Sequence, residues 1–116
     1  MVVVLDGGKD ANDILRKNRS REKRYAFDVA FDETATQNEV FETSTRFLVE
    51  GVLNGFNATV FAYGATGSGK TYTMLGTQYE PGLMFLTLQN IFDVIDQRKE
   101  ELKYKVIISY LEVSQL

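Results

Sequence analysis

Apolar positions along this chain switch between a period of two and a period near 3.6, and each switch predicts an element. Val2, Val3, Val4 and Leu5 make a short apolar run that Asp6, Gly7 and Gly8 break, which predicts a strand. Residues 10–24 are polar, with one helical turn expected at 13–17. Tyr25, Phe27, Val29 and Phe31 then alternate with Ala26, Asp28, Ala30 and Asp32, so a strand over 25–32 would carry its aromatics on one face. Thr36 and Glu39 stand at capping-box spacing. Behind them Val40, Phe41, Phe47, Leu48, Val52 and Leu53 recur at helical spacing, with Gly55 as the stop. Residues 59–63 read as a buried strand and 76–82 as a loop around Pro81. Met84, Leu88, Ile91, Phe92 and Ile95 define one face of a helix ending near Arg98 or Glu101. Residues 104–113, rich in β-branched and aromatic side chains, predict a last strand. Strands alternating with helices imply an α/β fold with a mostly parallel central sheet flanked by helices.

Between the strand at 59–63 and the polar loop lies the segment that carries chemistry. Gly64, Ala65, Thr66, Gly67, Ser68, Gly69, Lys70 and Thr71 meet the phosphate-binding P-loop pattern at every constrained position. A polyphosphate needs several donors converging on it without bulk in the way. Glycines let the backbone fold tightly enough to turn successive N–H groups inward. Lys70 adds a mobile cation for the β- and γ-oxygens, and Thr71 offers a hydroxyl to a Mg²⁺ that keeps most of its waters. A helix from Thr71 onward would aim its positive end at the same phosphates. The competing reading is a glycine-rich turn that binds nothing.

Composition narrows the possibilities further. With 116 residues, 44% hydrophobic and 25% charged, the chain amounts to about one soluble domain or less. Cysteine and histidine are both absent, so disulfides, thiolate metal sites and imidazole bases are excluded. Any catalysis would rest on carboxylates, hydroxyls, Lys70 and a bound metal ion. No apolar run reaches the roughly 20 residues that span a bilayer, and Met1–Leu5 lacks the flanks of a signal peptide, so an intracellular chain without a membrane partner is expected. The net charge is only −3, but Arg16, Lys17, Arg19, Arg21, Lys23 and Arg24 crowd one short window. That window is either a solvated connector or an arm drawn to an acidic surface. Nucleic acid is disfavoured because no aromatic residues interleave the charges.

The run over 59–76, TVFAYGATGSGKTYTMLG, resembles the P-loop region of kinesin motor domains. There an aromatic-rich strand enters Tyr-Gly-x-Thr-Gly-Ser-Gly-Lys-Thr, followed by an aromatic residue or His and then Thr-Met. YAFDVAFD at 25–32, TQNEVF at 36–41, Pro81-Gly82 and SYLEV at 109–113 are similar to the family's flanking segments. The likeness is greatest to the kinesin branch that controls microtubule and cilium length at plus ends. It implies a P-loop NTPase fold, ATP or ADP with Mg²⁺ as ligands, and Gly64 to Thr71 as phosphate-binding residues with Thr71 on the metal. It also implies Tyr72 as the ring against adenine, where packing beneath the loop is the alternative. For the complete motor it implies tubulin as partner and a cytoplasmic, cytoskeletal or ciliary location.

Departures from the family bound these expectations. The Asn-x-x-Ser-Ser-Arg-Ser-His and Asp-Leu-Ala-Gly switches and the upstream Arg-x-Arg-Pro segment do not occur in these residues, and Ser114, Gln115 and Leu116 stand where Tyr-Asn-Glu is usual. The expectation is an incomplete domain, the front part of a kinesin motor: residues 1–24 as strand and basic loop, residues 25–116 as the nucleotide-binding part. It would bind Mg·nucleotide with little hydrolysis and would hold no complete catalytic set. The alternative is a non-enzymatic fragment that meets tubulin or another acidic partner through residues 16–24. Oligomeric state is not encoded here.

Overall fold

A four-residue ladder opens the computed structural model, which describes residues 2–5 and 23–113. Strand β1 (Val2–Leu5) pairs antiparallel with β2 (Lys23–Ala26), in a register that sets Val2 opposite Ala26 and Leu5 opposite Lys23. The expected strand over 25–32 is thus confined to its first two residues. The register of the described ladder ends where Val2 faces Ala26. The predicted aromatic face survives locally: the rings of Tyr25 and Phe27 stack with centroids 6.2 Å apart and planes 21° apart. Asp32 then closes a turn, accepting hydrogen bonds from the Thr34 amide at 2.8 Å and the Thr34 hydroxyl at 2.6 Å. These bonds hold its carboxyl below the ordinary carboxylate range, the side-chain bond from Thr34 contributing most.

The described residues fall into two compact units, one within Met1–Ala35 and the other within Thr36–Leu116. The second is helical. Helix α1 (Gln37–Ser44) starts at the predicted capping box: the Glu39 amide donates to the Thr36 hydroxyl at 3.2 Å, and the Thr36 amide donates to the Glu39 carboxylate at 2.7 Å. The single helix expected up to Gly55 is broken at Thr45, and α2 (Arg46–Leu53) continues beyond it. Thr43, Ser44 and Thr45 explain the break. The hydroxyls of Thr43 and Ser44 donate back to the Glu39 and Val40 carbonyls at 2.8 and 2.5 Å, a competition with the ladder that bends helices. The end at Gly55 is as expected, closed by Phe56 and Gly55 amides donating to the carbonyls of Gly51 and Val52.

Past the glycine-rich loop come α3 (Lys70–Met74) and α4 (Leu83–Gln97). Phe41, Val49 and Leu83 form the buried apolar centre where α1, α2 and α4 meet, with Thr45 enclosed among them. The α4 face that the periodicity suggested packs in part: Leu88, Ile91 and Ile95 are half-buried, whereas Met84 and Phe92 stay exposed, and Leu83, Leu86 and Val94 are covered beside them. An ion pair of 2.5 Å between Glu50 and Arg98 joins α2 to the end of α4.

Two expected strands do not form among the described residues. Residues 59–63 and 104–113 belong to no ladder, and Phe61, Tyr63, Tyr110 and Leu111 are 79–95% exposed. β-Propensity is a fit to neighbouring strands rather than a local preference, so without such neighbours these runs stay unpaired. The mostly parallel sheet is accordingly not drawn by the described residues, whose one ladder is antiparallel. Residues 6–22, with most of the basic window and the turn at 13–17, lie outside them. No described helix is long and apolar enough to cross a membrane.

Candidate phosphate-binding site

The glycine-rich loop shows the backbone behaviour that its sequence requires. Gly67 and Gly69 have φ of +80° and +94°, while Ser68 between them does not enter the positive region. Alternation of this kind curves a chain around its own amides and makes an anion-sized concavity. The Ser68 amide donates to Ala65 at 3.1 Å and closes the first turn. By contrast, the amides of Thr66, Gly67, Gly69, Lys70, Thr71 and Tyr72 have no hydrogen-bond acceptor among the described residues. Exposed amides in such number are a concentration of unspent donors. At Gly64 a Cβ would sit 2.5 Å from the Ser68 hydroxyl oxygen, so any larger residue would press into the loop from its entry side.

Lys70 bends back over this loop. Its ammonium donates to the carbonyls of Gly64 at 2.8 Å and Ala65 at 2.7 Å, which uses two of its three donors and keeps the cation beside the free amides. Thr71 is exposed, and its hydroxyl makes no hydrogen bond among the described residues. No described cluster of three carboxylates exists to hold a metal by itself. A single exposed hydroxyl such as that of Thr71 suits Mg²⁺, which takes one or two protein oxygens and completes its shell with water and phosphate. The residues therefore fit a magnesium-loaded phosphate chain. The helix expected to point at it is short, because α3 is five residues long, so loop amides and Lys70 supply most of the positive potential.

Tyr72 projects from α3 with 46% of its surface exposed. Its hydroxyl donates to the Glu80 carboxylate, and that bond, followed by partial desolvation and the nearby negative charge, raises its pKa above the usual phenol value. The backbone of the same residue is held from another side: the Gln37 amide nitrogen donates to the Tyr72 carbonyl at 2.5 Å. Gln37 and Glu80 also line a cleft of about 270 Å³, together with Thr36, Asn38, Pro81 and Leu86. Sequence reading missed both residues as part of this site. Gln37 lies 35 positions from Tyr72, and nothing in a capping-box segment signals that it reaches the P-loop helix.

The turn that carries Glu80 is rigid by construction. Thr77 and Glu80 close it through a 2.8 Å backbone bond, and the Thr77 hydroxyl accepts from the Glu80 amide at 3.0 Å. Gly82 donates to Leu75 at 3.0 Å, and Gly76 bridges to Pro81. Gly76 sits at φ +73°, where a Cβ would lie 2.2 Å from the Glu80 carbonyl oxygen. Only glycine permits that crossing.

Comparison with known proteins gives this geometry a family. The chain is 57% identical over 113 residues to the kinesin-like protein KIF19 of Xenopus laevis, covering 97% of this chain and 11% of that protein. It is 51% identical over 105 residues to mouse KIF18A, covering 90% and 12% respectively. Among solved structures it is similar to a KIF14 dimer with AMP-PNP in complex with a microtubule, at 36% identity and a TM-score of 0.63, over 67% of this chain and 23% of that one. Drosophila NOD with divalent manganese and ADP matches at 34% identity and a TM-score of 0.65, over 70% and 30%. The chain thus spans about an eighth or less of these two curated relatives. The family model described as the kinesin motor domain matches residues 2–115, and the chain belongs to that family of P-loop NTPase fold.

Proposed function

We propose that residues 64–72 are the nucleotide site of a kinesin-like microtubule motor, and that this chain contributes its Mg·ATP- and Mg·ADP-binding part. The observation that carries the reading is the run of uncommitted amides beside the Lys70 ammonium. On binding, Lys70 would exchange the Gly64 and Ala65 carbonyls for phosphate oxygens, and the amides of Thr66, Gly67, Gly69, Lys70 and Thr71 would take up the remaining phosphate lone pairs. Thr71 is the protein ligand to Mg²⁺, which when bound neutralises charge on the phosphate oxygens. Tyr72 offers a ring face to adenine. Phosphoryl transfer depends on positioning and charge stabilisation. The switch motifs that supply these in the family do not occur in these 116 residues, so a polypeptide of this sequence alone binds nucleotide and hydrolyses it slowly or not at all.

Coupling of hydrolysis to movement along microtubules, with a cytoplasmic and cytoskeletal location that includes the cilium, is the corresponding role of the complete motor. The likeness to KIF19 and KIF18A supports this role. Isothermal titration with Mg·ADP tests the proposal: heat of binding with one site per chain is expected, and its absence from folded protein overturns it. The alternative, acidic-partner binding through residues 16–24, is supported by the charge crowding there. It requires salt-sensitive co-sedimentation with tubulin that ignores nucleotide and survives Lys70→Ala.

A further inference from the structure

We infer that Glu80 and Gln37 are positioning residues for Tyr72, so that the turn at 76–82 sets how the site receives a nucleobase. The inference rests on the P-loop reading above. Tyr72 is tethered at both ends by elements outside its own helix, one 35 positions away in sequence and the other eight. Gly76 sends its amide to the Thr71 carbonyl at 3.4 Å, and among the described residues no backbone amide reaches the Tyr72 carbonyl. Helix ends leave such orphan acceptors. Gln37, in the first turn of α1, satisfies this one from its side chain. At the other end the phenol donates to Glu80, whose own position is set by the closed turn.

The consequence is a ring that is half exposed and yet held. An exposed aromatic side chain ordinarily samples several rotamers and must be immobilised when a ligand stacks on it. Here both the helix that carries the ring and the hydroxyl at its tip are anchored before any base arrives. The tether touches the ring only at its edge, so a face remains for stacking. The phosphate cradle has no part in these bonds: among the described residues, Glu80 and Gln37 make no hydrogen bond to Lys70 or to the glycines of 64–69. Base recognition and phosphate recognition are therefore separable in this site, and the turn tunes only the first.

The test compares Mg·ADP with magnesium-loaded inorganic tripolyphosphate, which has phosphates and no base, by calorimetry on the full-length protein. Tyr72→Phe keeps the ring and removes the donor, Glu80→Ala removes the acceptor, and Glu80→Gln keeps an acceptor without the charge. Tyr72→Phe and Glu80→Ala are each expected to weaken ADP about two- to tenfold, the range for one freed side chain, while tripolyphosphate affinity stays within about twofold. The double variant should be no weaker than either single one, because both remove the same bond. Glu80→Gln should restore most of the ADP affinity. Unchanged ADP binding by Glu80→Ala, additive losses, or equal losses for both ligands would overturn this inference alone. Failure of the unaltered protein to bind either ligand would overturn the P-loop reading together with it.

Discussion

Gly69→Ala isolates the torsional demand of the phosphate loop from every packing effect. Gly69 has φ +94° and ψ 10° at the start of α3, and a Cβ built there meets nothing within 4 Å. No neighbour has to move, so the whole penalty is the cost of holding an L-residue in the left-handed region, about 1–2 kcal/mol. If the loop keeps its shape only when liganded, that cost falls on binding, and Mg·ADP affinity drops about five- to thirtyfold. Unfolding of the free protein would change by less, because an exposed loop can relax to negative φ. Gly51→Ala supplies the opposite control. It lies inside α2 with negative φ and open space, and should stabilise by about 0.5–1 kcal/mol while leaving nucleotide binding unchanged. Titration calorimetry and thermal unfolding on both variants decide the matter. Wild-type affinity in Gly69→Ala would refute the claim that this positive φ shapes the cradle.

Three further outcomes follow from the same geometry. Lys70→Ala should weaken Mg·ADP about tenfold to a hundredfold, the range for losing charged hydrogen bonds of about 1.5–3 kcal/mol, with calorimetry as the measure. Gly76→Ala adds a torsional cost to a backbone collision at 2.2 Å and should destabilise by about 2–5 kcal/mol; an unchanged urea midpoint would contradict that. Asp32 has a folded pKa below its unfolded one, so the stability it contributes is present above the ordinary value of 3.8 and disappears as pH falls through the folded pKa. Thr34→Ala, by removing the main cause, should move the Asp32 titration upward in a carbon-detected NMR series.

What could be read from the sequence is what a few neighbouring residues decide among themselves. The capping box of Thr36 and Glu39 and the stop at Gly55 are local matters, and each stands where the pattern put it. The P-loop pattern stood out for the same reason: holding a phosphate chain calls for glycines, a lysine and a hydroxyl at fixed spacing, and little else can substitute. Tertiary structure decided the rest. Helix α4 is apolar on two sides, so only the placement of α1 and α2 could select Leu83 over Met84 and Phe92 for burial. The hydroxyls of Thr43 and Ser44 had carbonyls within reach, yet whether the helix would yield at Thr45 depended on the packing that buries that residue. Residues 59–63 and 104–113 have strand composition without a strand, because a ladder is made by two segments and one segment cannot specify the other. The tether from Gln37 through Tyr72 to Glu80 joins three elements that no periodicity connects, and only the folded chain brings them together.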